Sequence, residues 1–232
     1  ISQYMLFAIL YVVFAKILKM GSDIPHYPVY LLAGTVLWSF FSECTNQGIQ
    51  AIVARGDLLR RISFPKWILV VSATVTALIN FLINLGVVII FALVNGVTPH
   101  LGWLLVPFVI LELYVLALGI SFFLGAINVK YRDISSIWEV FMQALFYAVP
   151  VIYPITMVAS ASPFAAKIFL LNPIAQVIQD VRYFLITDQT ITTWNYLPER
   201  LLYFIPISIV LLIIFIGGIY FRKRSKYFAE EA

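Results

Sequence analysis

The residues able to do chemistry are few, and most are amides and carboxylates set in apolar surroundings. Ser39, Ser42, Glu43, Asn46, Gln47 and Gln50 recur at spacings of three and four, so they form one polar arc on a helix. Lipid penalises such an arc, which must turn toward other helices or water, where it can hydrogen-bond hydroxyl groups. Glu112 is a second ionisable residue deep in an apolar run, read either as functional or as an uncharged side chain hydrogen-bonded between helices. His26 and His100 have no partners at metal-ligand spacing. No Gly-x-Ser-x-Gly elbow and no G-x-x-x-x-G-K-[ST] loop occurs, so no nucleophile elbow or P-loop nucleotide site is expected in this chain. Cys44, the single cysteine, excludes a disulfide framework and a thiolate cluster within one chain.

The elements that must carry these groups follow from composition. Of 232 residues, 62% are hydrophobic and 11% are charged, against about 25% charged in a soluble domain. Residues 67–111, 140–166 and 201–221 contain no Asp, Glu, Lys or Arg. A span needs roughly 20 apolar residues, so the first of these runs holds two spans with a turn between them. This excludes a soluble enzyme, a disulfide-stapled secreted domain and a nucleic-acid binder. An all-α, polytopic membrane protein of six transmembrane helices is expected: from the start to residue 18, then 27–54, 67–94, 101–129, 137–153 and 201–221. The sequence opens on Ile rather than Met, so a preceding segment is expected, and no signal peptide is visible. Ser136 to Glu139 fits a capping box at the start of the fifth span, and Pro150 and Pro154 should end it.

Orientation follows from the basic residues. Arg55, Arg60, Arg61, Lys66, Lys130, Arg132, Arg222, Lys223, Arg224 and Lys226 fall on one side, and Lys16, Lys19, Lys167, Arg182 and Arg200 on the other. The first group, with both termini, is placed in the cytoplasm. Residues 156–199 then form an outer segment in which Ser162-Pro163 and Asn172-Pro173 each open a short helix. In the second of these, Ile174, Val177, Ile178, Val181, Phe184 and Leu185 share a face opposite Gln176, Gln179, Asp180 and Tyr183. Both helices are too short to cross, and suit a re-entrant or interfacial position.

On the cytoplasmic side, residues 56–65 read as a short helix capped by Asp57 and stopped by Pro65. Leu58, Leu59 and Ile62 share a face, which either docks in a partner's groove or sinks into the membrane interface beside Arg60 and Arg61. Tyr4, Phe7, Tyr11 and Phe14 stripe the first span, and Trp38, Phe40 and Phe41 cluster in the second. Such faces can slide along sugar rings, or simply pack against lipid and helices. Ser72, Thr76, Asn80 and Asn84, like Ala117, Ser121 and Gly125, form small or polar stripes of the kind that let helices approach closely.

Several stretches carry a family resemblance when taken in order: YLLAGTVLWSFF at 30–41, DLLRRISFP at 57–65, VKYRDI at 129–134, PVIYP at 150–154 and Asn172-Pro173. On these the chain resembles the permease subunit of ABC transporters that export polysaccharides or polyol-phosphate polymers, the group of O-antigen and teichoic-acid exporters. The resemblance implies a homodimer in the bacterial cytoplasmic membrane, paired with two copies of a separate ATPase that binds ATP and Mg, and no cofactor in this chain. It also implies a coupling helix made by Asp57, Leu58, Leu59, Arg60, Arg61, Ile62 and Phe64, with Arg132 and Asp133 beside it. Tyr4, Phe7, Tyr11, Phe14, Trp38, Phe41, Glu43, Asn46, Gln50 and Glu112 become candidates for the path of a lipid-linked glycan or polyol-phosphate. An ABC exporter of drugs or small lipids shares this architecture, and a proton-coupled secondary transporter using Glu43 and Glu112 is the more distant alternative.

Overall fold

The computed structural model describes residues 8, 9, 11, 12, 24–56, 64–197 and 199–228, which form helices joined by turns and contain no β-strand. Helix α1 (Tyr27–Gln50) starts behind His26, whose φ of 56° turns the chain so that its carbonyl accepts the Val29 and Tyr30 N–H groups at 2.9 and 3.1 Å. Helix α2 (Trp67–Val94) ends at Gly96, which takes a φ of 84°. The Gly96 N–H then bonds to Leu93 O and the Val97 N–H to Ala92 O, the paired bonds of a Schellman motif. That is the turn the sequence 95–99 predicts. A 3-10 turn (Leu101–Leu105) leads into α3 (Val106–Asn128).

Among the described residues, three stretches are long and apolar enough to cross a membrane: Trp67–Val94, Leu101–Asn128 and Arg200–Arg224. They coincide with the expected third, fourth and sixth spans. Their exposed side chains include Ile83, Ile90, Leu104, Leu211 and Phe215, a surface suited to hydrocarbon rather than water. Six spans are more than the structure establishes. The first expected span lies largely outside the described residues. Helix α1 has the length, but its polar arc lowers its hydropathy. The fifth is α4 (Ile134–Ala148), whose 15 residues extend about 22 Å, short of the roughly 30 Å of hydrocarbon.

The start of α4 also corrects the expected capping box. The helix begins before Ser136, because Asn128 at the end of α3 accepts the Ser135 N–H on its Oδ1 at 3.3 Å and Asp133 O accepts from Ile137 at 3.0 Å. A partner seven residues back does the work assigned to Ser136 and Glu139. After Ala148 the chain turns through Pro150 and Pro154 into α5 (Ile155–Ala161), which the sequence did not suggest. Helix α6 (Pro163–Leu171) is capped by Ser162, whose Oγ accepts from Ala165 N. Helix α7 (Pro173–Leu185) is capped by Asn172, whose Oδ1 accepts from Ile174 N at 3.0 Å. A short α8 (Thr193–Tyr196) and a 3-10 turn (Arg200–Phe204) lead to α9 (Ile205–Arg224).

The chain divides into two compact units. The first comprises residues 1–39, 81–113 and 146–207. At its centre α7 is buried nearly all round, its polar residues included. The second comprises 40–80, 114–145 and 208–232, around a core of Ile52, Leu69, Val70, Ala126, Val129, Phe221 and Phe228. Small residues set its close approaches. A Cβ on Gly48 would collide with Ser121, and one on Gly125 would lie 3.2 Å from Gly48 O, so the Ala117-Ser121-Gly125 stripe is a packing surface for α1. Gly119 and Gly217 bring the backbones of α3 and α9 together in the same way: a Cβ on Gly119 would sit 2.8 Å from Ile214 Cα.

Candidate functional site

The polar arc of α1 is closed on itself and on α2 within the second unit. Glu43 Oε1 accepts from Gln47 Nε2 at 2.9 Å and from Asn80 Nδ2 at 3.0 Å, and Asn46 Nδ2 donates to Ser42 Oγ at 3.4 Å. Glu43 and Asn46 are half-buried and Gln50 is exposed. Asn80, expected as part of a packing stripe, thus joins Gln47 in fixing the Glu43 carboxylate. Thr45, on the same helix, receives the Trp138 indole N–H at 3.0 Å, so that tryptophan is tied into the second unit.

The aromatic candidates are dispersed. Phe41 is fully buried, and Trp38 is nearly so, packed edge-on against Phe146 with centroids 5.5 Å apart. Tyr11 is half-buried. Tyr4, Phe7 and Phe14 lie outside the described residues, as do Asp57, Leu58, Leu59, Arg60, Arg61 and Ile62 of the expected coupling helix. Phe64, at the end of that segment, is half-buried against the second unit's core. It also lines a cavity of about 530 Å³ with Lys66, Trp67, Phe122, Phe221 and Arg222. Arg132 and Asp133 are exposed on the turn ahead of α4.

Glu112 belongs to the first unit. Its Oε2 accepts from Gln176 Nε2 at 3.4 Å, and the same amide nitrogen donates to Asp180 Oδ2. Gln176 and Asp180 are buried, not turned to water as the opposite face of an amphipathic helix would be. Among the described residues no three His, Cys, Asp or Glu side chains converge as metal ligands.

The most developed polar constellation was not singled out from the sequence. Arg182 is fully buried, with its guanidinium 3.6 Å from the centre of the Tyr30 ring. Its Nε donates to Tyr30 O at 3.1 Å, Nη1 to Pro150 O at 2.7 Å and to Gln179 Oε1 at 2.9 Å, and Nη2 to Val151 O at 2.6 Å. Gln179 Oε1 also accepts the Tyr30 hydroxyl at 3.2 Å, and its Nε2 donates to Ile191 O at 3.0 Å. Tyr27 OH bonds to Ile152 O at 3.1 Å. Burial lowers the Arg182 pKa, opposed by the Tyr30 and Tyr27 side chains, and an arginine keeps its charge under such a shift. The guanidinium therefore joins α1, the 150–151 turn and α7 through carbonyl dipoles and a cation–π contact, without a carboxylate. Gly34 makes room for it, since a Cβ there would strike Nη2 and lie 2.7 Å from Val151 O. One sequence signal was available: Arg182 follows Ile178 by four and precedes Leu185 by three, which sets it on the apolar stripe of α7.

Long apolar helices that hold their amides, carboxylates and an arginine inside the protein define a multi-pass helical membrane protein. The chain belongs to the ABC-2 type transporter family, whose profile matches residues 1–186. It is 30% identical to the O-antigen export system permease protein RfbA of Myxococcus xanthus over 91% of this chain and 78% of that protein. It is 26% identical to an O-antigen export system permease protein RfbA of Klebsiella pneumoniae over 99% of this chain and 85% of that protein. A further Klebsiella pneumoniae RfbA matches at 26% over 77% of this chain and 68% of that protein.

Proposed function

We propose that this chain is the transmembrane subunit of an ATP-driven exporter that moves a lipid-linked polysaccharide across the bacterial cytoplasmic membrane. The observation that carries the reading is its likeness, over nearly the whole chain, to permeases named for O-antigen export. A polyol-phosphate polymer of the teichoic-acid kind is the related cargo. The subunit acts as a homodimer with two copies of a separate ATPase, which supplies the ATP and Mg site. Both termini and residues 56–65 face the cytoplasm, in keeping with the excess of Lys and Arg there. Closure of the ATPases pushes on Asp57–Phe64 and the neighbouring Arg132 and Asp133, and the helix bundles rock in response. The glycan passes between protomers, sliding on aromatic side chains of the first span while Glu43, Asn46 and Gln50 meet its hydroxyls; the buried Trp38 and Phe41 back that path from within the protomer. The hydrogen-bonding character of this arc, mostly amides and hydroxyls, suits a polyhydroxylated chain.

The test is Leu58→Asp with Leu59→Asp, co-expressed with the cognate ATPase. Export of surface polysaccharide is expected to fall at least tenfold, and ATP hydrolysis by the purified complex is expected to lose its dependence on the permease. Undiminished export with the ATPase still bound would remove residues 56–65 from coupling. Export that survives ATP depletion and collapses with the proton gradient would replace the whole reading with secondary transport.

A further inference from the structure

Among the described residues of the first unit, Glu112 Oε1, Gln176 Oε1 and Asp180 Oδ1 are buried acceptor atoms without a donor. They belong to one connected group, because Gln176 Nε2 donates to both Glu112 Oε2 and Asp180 Oδ2. Asp180 is 2% exposed and Gln176 6% exposed, so water does not reach these atoms freely. A buried acceptor with no donor costs about 1–3 kcal/mol, and more if it is charged. Two carboxylates sharing one amide also repel each other. The group is therefore short of hydrogens and of positive charge.

The other charged groups nearby do not supply either. Arg182, on the same helix, is committed to Tyr30, Pro150, Val151 and Gln179. Ionisable side chains on elements packed against α7 include Tyr27 and Tyr30 on α1, whose hydroxyls are given to Ile152 O and Gln179 Oε1, Lys167 on α6, and His100 next to the Leu101–Leu105 turn. Glu112 on α3 is the charged group that acts on Asp180. A metal ion is poorly served: Gln176 Nε2 already occupies one oxygen of each carboxylate, and no third His, Cys, Asp or Glu joins them among the described residues.

We propose that Glu112, Gln176 and Asp180 form a proton-binding site, in which Asp180 is carried as the carboxylic acid and fastens α7 to α3. The proton comes from water by way of the half-buried Glu112. It adds to the Asp180 carboxylate, forming one O–H bond and cancelling one charge, and the new hydrogen gives the group one donor. Asp180 lies on a helix too short to cross the membrane. Burial pushes its carboxyl up to about 7, with Gln176 opposing and negative Glu112 adding to the rise. Because the folded-state value lies above the unfolded one, near 3.9, the folded protein holds more protons between those values. Stability from this group is present at acid pH and is lost as pH rises through about 7.

The experiment uses the full chain purified in lipid nanodiscs and needs neither the ATPase nor a substrate. Infrared difference spectra between about pH 6 and about pH 8 are expected to show a protonated carboxylic-acid band that bleaches as pH rises. Asp180→Asn, which is neutral and of the same shape, should remove that band and flatten the accompanying several-degree fall in melting temperature. Glu112→Gln should keep the band and move its titration to lower pH, a shift that a purely structural role would not produce. A missing band in the wild type, or one unmoved by both variants, would overturn the proposal. So would a wild-type melting temperature that climbs with sodium, calcium or magnesium chloride at fixed pH while Asp180→Asn does not respond, which would assign the site to a metal.

Discussion

Replacing Arg182 with Met tests whether a guanidinium without a counter-ion holds the first unit together. The substitution keeps most of the volume and removes every donor. Of the four acceptors, Tyr30 O keeps its helical partner in α1, and Gln179 Oε1 keeps the Tyr30 hydroxyl. The carbonyls of Pro150 and Val151 lose the bonds of 2.7 and 2.6 Å. Two orphaned buried carbonyls cost roughly 2–6 kcal/mol. Removing a buried charge returns part of that, so a net loss of about 2–4 kcal/mol is expected. For a chain of this size each kcal/mol lowers the melting temperature by about 2–4 °C, giving a fall of roughly 5–15 °C. Fluorescence-detected size-exclusion chromatography after a heating series measures it directly. Gly34→Ala offers an internal control: its Cβ meets both Nη2 and Val151 O, so its cost should shrink when combined with Arg182→Met. Non-additivity of at least about 0.5 kcal/mol is expected. Melting of Arg182→Met within about a degree of the wild type would refute the reasoning.

Two further outcomes follow from local geometry. Asn172→Ala removes the Oδ1 that caps α7 at Ile174 N and should cost about 0.5–2 kcal/mol, read as a lower melting temperature. Gly217→Val puts a branched side chain where the α9 backbone meets Gly119 O, and should cost about 1–3 kcal/mol or more, seen as loss of monodisperse protein in detergent.

What the sequence revealed and what it hid have separable physical causes. Helices α2, α3 and α9 were legible because crossing hydrocarbon requires an uninterrupted apolar run, and composition records that directly. The caps at Ser162 and Asn172 were legible because donor and acceptor lie within three residues. The start of α4 was misplaced because the Ser135 N–H finds Asn128, seven residues back, instead of the adjacent Ser136. The polar face of α7 pointed to an interface on helical periodicity, yet Tyr30 and Glu112 cover it. Those partners are 149 and 64 residues away, and a periodicity argument has no access to them.

The meeting of α3 and α9 at Gly119 and Gly217 has a mechanical consequence. Where two helices cross through interlocked side chains, turning one against the other means withdrawing each tooth from its socket. Here main chain rests on main chain, and nothing protrudes at the point of closest approach. Such a crossing behaves as a smooth pivot: resistance to rotation comes from the flanks, where Phe123 rests tilted on Tyr220 with ring centres 5.2 Å apart. Any tilting of α9 would therefore be hinged at the two glycines and braked by that aromatic pair.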